Sequence, residues 1–192
     1  MDTPAAAMLT RIRGELRELA EPEFRASVQR FFREPVDAYG VRTPAVRRLA
    51  STVFREVRQW PVAQRNRLCN ELWKSGTLEE GALAVCLYQK FARQCGVCEF
   101  HLFEKWIDRF VANWSHCDGV CSLLWTTFEN EPKVLREIRP WSASPNRWKR
   151  RAAAVALVRE ARRGRNAALI TATIARLSAD SDDMVRMWCG RR

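Results

Sequence analysis

Trp114 and Asp118, four residues apart, are the pair in this sequence best suited to chemistry. They lie in the stretch Ala112-Asn113-Trp114-Ser115-His116-Cys117-Asp118-Gly119-Val120-Cys121. On a helix, residues four apart project from the same face. The chain around them is strongly basic, with 33 Lys and Arg against 22 Asp and Glu and a formal net charge of +11. A carboxylate is an odd choice for a surface that must attract a polyanion. Beside an indole, whose face attracts cations, it suits a site that stabilises positive charge rather than one that only grips phosphates.

Most of the basic side chains are arginine, whose planar fork makes paired hydrogen bonds to phosphate. Together with a pI near 10.0, this favours nucleic acid as the partner over an acidic membrane surface or an acidic protein. The arginines are clustered. Arg42, Arg47 and Arg48 follow the loop Tyr39-Gly40-Val41-Arg42-Thr43-Pro44, and Arg147, Lys149, Arg150 and Arg151 surround Trp148. Both clusters fall where a helix is expected to start, and free N–H groups at such a start can seat phosphates. Positive charge there opposes the helix dipole unless an anion is bound. Arg159, Arg162, Arg163 and Arg165 fit a helix C-terminus, where they equally serve as a solvated face.

Several chemistries are disfavoured. His101 and His116, the two histidines, have no matched Ser or Cys and acid that sequence can identify. There is neither a Gly-rich phosphate loop nor a His-Glu-x-x-His motif. The seven cysteines are an odd number, which argues against a closed disulfide framework. Cys95-x2-Cys98-x2-His101, with His116, Cys117 and Cys121, has the raw materials of a zinc site. No second Cys-x2-Cys follows, however, and Phe100, Leu102 and Phe103 make the segment read as packed helix. Packing thiols are the favoured reading.

These side chains need positioning elements, and nearly all of the sequence reads as helix. Turn and cap residues at Glu21-Pro22, Gly40 to Pro44, Trp60-Pro61, Ser75 to Thr77, Cys95-Gly96, Asn113 to Ser115, Glu131-Pro132, Ser142 to Pro145, Gly164 and Ser178 to Ser181 divide it. About ten or eleven helical segments lie between them. From Val97 to Val111, apolar residues recur at three- and four-residue steps, as they do from Val120 to Phe128. Each helix must lay a stripe on its neighbours, and short linkers make those neighbours antiparallel. Trp73, Trp106 and Trp125 occupy core positions in this pattern. The starts of alternate helices look alike at a spacing of roughly 29 to 39 residues, as in a divergent array of helix pairs. Asp183-Met184-Val185-Arg186 has the Asp-x-Val-Arg run common in HEAT repeats. The expectation is an all-α, HEAT-like helical-repeat solenoid with a concave basic face, formed as a single domain over 1–192.

Three motifs in this order carry a resemblance: Tyr39-Gly40-Val41-Arg42-Thr43-Pro44-Ala45-Val46-Arg47-Arg48, Asn113-Trp114-x3-Asp118, and Ser144-x-Asn146-x-Trp148-x-Arg150-Arg151. From about Ala20 onward, the chain resembles the AlkD-like family of alkylpurine DNA glycosylases. The resemblance implies a monofunctional glycosylase that removes positively charged N3- or N7-alkylated purines from duplex DNA in base excision repair. It implies Trp114, Asp118 and Arg151 as catalytic residues, with Arg151 holding a backbone phosphate. Arg42, Arg47, Arg48, Arg147, Trp148, Lys149, Arg150, Arg186 and Trp188 are the expected DNA contacts. One departure stands out. Where the family has a second aromatic in a Gly-Trp-x-x-Arg-like run, this sequence has Arg191, with Trp188 a turn earlier. It also ends where the family continues through at least one more helix.

The expected protein is a monomer that acts on duplex DNA without metal or organic cofactor. It is expected to be cytoplasmic and nucleoid-associated, since Met1 to Ala7 lacks the features of a signal peptide and no apolar run reaches the ~20 residues of a membrane span. Two rivals remain: a noncatalytic HEAT-like module binding damaged, bent or branched DNA, and a protein-binding helical scaffold.

Overall fold

A computed structural model describes residues Pro4–Arg186, which fall into two compact units divided between Phe91 and Ala92. The described residues are all-α and contain no strand, in keeping with a helical-repeat architecture. No described helix is long and apolar enough to cross a membrane.

The first unit contains α1 (Pro4–Glu18), α2 (Pro22–Val28), α3 (Thr43–Val57), α4 (Val62–Lys74) and α5 (Leu78–Lys90). Helix α3 is strongly amphipathic. It buries Val46, Leu49, Ala50, Val53 and Val57 and packs on α5, which also meets α4; α1 lies against α4 and α3. Ile12, Leu16, Leu68, Leu72, Trp73, Leu83 and Leu87 fill the space between them. The stretch between Pro22 and Gly40, expected to be one helical segment, is helical only in its first half. Helix α2 runs into a 3-10 turn at Gln29–Phe31, and an irregular loop follows to Arg42. Pro35 accounts for this break, because it lacks an N–H and biases Glu34 away from helical geometry.

That loop is held from below by helix α5. The buried Glu79 carboxylate accepts the backbone N–H groups of Tyr39 (2.9 Å), Gly40 (2.8 Å) and Val41 (2.9 Å). Its neighbour Glu80, also buried, accepts the Tyr39 hydroxyl (2.7 Å) and pairs with Arg13 of α1 (3.1 Å). Burial, reinforced by the hydrogen bond to Glu80, pushes the Tyr39 phenol up to about 12. Gly40 has φ +89°, and a Cβ there would lie 2.6 Å from Arg25 Cβ and 2.8 Å from the Glu21 carbonyl oxygen. Only glycine fits both demands.

The second unit contains α6 (Val97–Arg109), α7 (Trp114–Asn130), α8 (Arg147–Arg162), α9 (Ala167–Leu177) and α10 (Asp183–Arg186), with a run of 3-10 turns over Pro132–Ala143. Helix α8 packs on α7, on the 3-10 run, on α9 and on α10. Its buried face is built largely from small residues (Ala152, Ala153, Val155, Ala156), which lets neighbours approach closely. The 3-10 run is anchored by Trp141, whose ring stacks on Phe100 of α6 at 5.7 Å and whose indole N–H donates to Glu104 (3.0 Å).

Candidate functional site

The start of α7 is fixed by Asn113. Its side chain accepts the His116 N–H at 2.9 Å, and its amide meets the His116 ring at 3.1 Å. Capping of this kind satisfies a donor that the first turn leaves without an intrahelical partner. It makes Trp114 the first residue of the helix and leaves Asp118 one turn on, both partly exposed. Cys117, Val120, Cys121 and Leu124 turn inward from the same two turns.

The inward face of α7 is registered against α8 by side chains spaced four apart. The Cys117 thiol donates to the Trp148 carbonyl (3.4 Å), the Cys121 thiol to the Ala152 carbonyl (3.8 Å) and the Trp125 indole N–H to the Val155 carbonyl (3.2 Å). Burial, aided by Cys117 and Asp118, pushes the Cys121 thiol well up, so it remains the protonated form that can donate. The cysteines read as packing residues thus have a definite task in helix register.

This register brings Arg151 of α8 beneath Asp118. The guanidinium grips the carboxylate bidentately, Nε to Oδ1 at 2.9 Å and Nη2 to Oδ2 at 2.8 Å, and its Nη1 donates to the Met184 carbonyl of α10 at 2.6 Å. The Arg151 side chain is 4% exposed and that of Asp118 24%. A carboxylate held at both oxygens cannot rotate, yet each oxygen keeps acceptor capacity. The arrangement presents a fixed negative charge at the surface, one turn from an indole.

Arg151 is thus brought to Asp118, among the residues it was expected to accompany. Its Nε, Nη1 and Nη2 all serve acceptors within the protein, and its side chain is buried. The residues around it are likewise engaged within the protein. Trp148 is buried, with the Arg147 guanidinium 4.7 Å from its ring centre. Lys149 pairs with Glu104 (2.9 Å) and Asp108 (2.8 Å) of α6. Burial would lower the Lys149 ammonium, but bonds to these two carboxylates outweigh it and raise it. Arg150 grips Asp180 (2.7 and 3.1 Å), Arg147 reaches Asp182 (2.9 Å), and Arg186 donates to the Asp180 carbonyl (2.7 Å). The anion that positive charge at a helix start demands is present, but it is the protein's own set of carboxylates.

Arg42, Arg47 and Arg48 belong to the first unit. Arg42 occupies the N-cap position of α3 without a capping side-chain bond, lies over the Phe24 ring at 4.8 Å and pairs with Glu21 at 2.9 Å. Arg47 and Arg48 are exposed on α3 and form no ion pair among the described residues. Trp188 lies outside the described residues.

Sequence reasoning missed Asp180, Asp182 and the Met184 carbonyl. Their only signal was an acidic run, Asp180-Ser181-Asp182-Asp183, in an otherwise basic C-terminal third. A model of the family described as DNA alkylation repair enzyme matches residues 12–190 of this chain. Comparison with curated proteins gives no match.

Proposed function

The chain belongs to the DNA alkylation repair enzyme family, and from that premise we infer that it excises positively charged N3- and N7-alkylated purines from duplex DNA as a monofunctional glycosylase. The reading rests above all on Asp118, a carboxylate clasped at both oxygens by Arg151 yet partly exposed beside Trp114.

The chemistry asks little beyond such a group. In a cationic alkylpurine, the bond from the sugar C1′ to the base nitrogen breaks with its electron pair going to the base, which leaves neutral. No acid is needed to protonate it, and neither metal nor organic cofactor is required. Positive charge grows on the deoxyribose instead, and a carboxylate fixed in advance at that point stabilises it without reorganising. Water then bonds to C1′ and loses a proton, leaving an abasic site; Asp118 is placed to orient that water. The Trp114 indole adds attraction for the cationic base and sugar, worth ~0.5–2 kcal/mol. Arg47 and Arg48, with the exposed part of the Arg42 side chain, are the proposed phosphate contacts. The protein acts as a monomer on DNA in the cytoplasm or nucleoid.

The test is release of free methylated purine from methylated duplex DNA by the purified full chain. Accumulation of base and abasic sites supports the reading. Tight binding without release selects instead a noncatalytic module for damaged, bent or branched DNA, which is favoured by Arg191 standing where the family has an aromatic.

A further inference from the structure

Arg147, Arg150 and Arg186 converge on one short segment, and that segment ends on the residue that touches Arg151. The Asp180 carboxylate accepts Arg150 through both oxygens, and its Oδ1 also accepts the Asp182 N–H at 2.9 Å. The Asp182 Oδ1 in turn accepts the Met184 N–H at 2.9 Å, while its Oδ2 pairs with Arg147. Arg186 closes the turn by donating to the Asp180 carbonyl. Met184 and Val185 are buried against α8, so the segment is pinned by both packing and charge. Its product is the Met184 carbonyl oxygen, set 2.6 Å from Arg151 Nη1.

A bidentate pair alone fixes the guanidinium relative to the carboxylate, but not the pair relative to the fold. The two side chains can swing together about their stems. A third hydrogen bond, on the side of the guanidinium away from Asp118, removes that freedom. We propose that Asp180 is a positioning residue for the reacting centre: through the turn it organises, it holds the Met184 carbonyl against Arg151 and so sets the direction in which Asp118 presents its charge. Asp180 touches no substrate. It acts through Asp182, Met184 and Arg151 in sequence, and the catalytic part of the statement rests on the glycosylase reading above.

The experiment is made on the full chain, with Asp180→Ala and the milder Asp180→Asn, which keeps an oxygen for the Asp182 N–H. Two readouts are taken. The first is solvent exchange of the Arg151 Nε–H proton by nitrogen-edited NMR. It should be slow in the wild type, faster in Asp180→Asn and fastest in Asp180→Ala. The second is single-turnover base release from methylated duplex, measured beside affinity for unmodified duplex. Release should fall about ten-fold or more in Asp180→Ala, as expected when a reacting group drifts by a fraction of an ångström, with affinity held. In an Asp118→Asn background, the further loss should vanish. Unchanged Nε–H protection in Asp180→Ala, or a loss of release that persists in full without the Asp118 carboxylate, overturns the proposal. If the wild type releases no base, the glycosylase reading fails by itself, and the exchange rates still decide whether Asp180 holds Arg151.

Discussion

Asp118 and Arg151 divide the work of the candidate site between charge and direction. Sequence alone could place Trp114 and Asp118 on one face, because a four-residue spacing and an Asn cap are local signals. It could not place Arg151, 33 residues further on, under the carboxylate; that contact depends on the register of α7 against α8. Two outcomes follow for single side chains. Arg151→Lys keeps the charge but loses the fork, so Asp118 is held at one point only. Single-turnover base release should fall roughly ten- to hundred-fold, the range associated with misplacement of up to 1 Å. Trp114→Ala should slow release by about two- to thirty-fold, the equivalent of ~0.5–2 kcal/mol of lost cation attraction. Assays on methylated duplex at saturating enzyme check both.

Elements were legible where their signals are local and obscure where they are not. The segment read from Val97 to Val111 is helix α6, Val97–Arg109, and the turns expected near Ser142 to Pro145 and Gly164 fall where α8 begins and ends. The 3-10 run Pro132–Ala143 was invisible as such, since its apolar spacing at Val134, Leu135, Ile138 and Trp141 is that of any amphipathic helix. The loop before α3 is fixed by Glu79, which accepts three of its backbone N–H groups, a contact across some 40 residues that no local signal announces. Gly40→Ala should therefore destabilise the protein by roughly 1–3 kcal/mol, the range for a forced left-handed residue, and more if Arg25 and Glu21 cannot yield; urea denaturation measures it. The Asp180 turn has a pH signature. The Arg150 guanidinium holds the Asp180 carboxyl below its usual range, with the Asp182 N–H and Arg186 acting in the same direction and partial burial opposing. A lowered folded value means that stabilisation is complete above the ordinary aspartate pKa of about 3.9 and is lost as pH falls through the lower folded value. The stability gap between wild type and Asp180→Asn should be constant from about pH 5 to 8 and close below about pH 4.

For the whole molecule, the 33 Lys and Arg side chains are not equally available to DNA. Lys149, Arg150 and Arg151 are bound internally, whereas Arg47 and Arg48 are not. DNA affinity should fall steeply with salt. Replacing Arg47 or Arg48 with alanine should reduce the log–log salt slope by about one each, while Arg150→Ala should lower stability and leave the slope nearly unchanged. Binding titrations across salt concentrations separate these cases. On the proposed reading, a fixed carboxylate makes this basic helical protein an enzyme, and single-turnover release of methylated purine by the wild type and by Asp118→Asn, with duplex affinity measured alongside, puts that to the test. Asp118→Asn should lose about 10²–10³-fold in rate, the scale for removing one preorganised electrostatic group, at equal or tighter binding. Equal release by the two proteins would contradict that reading.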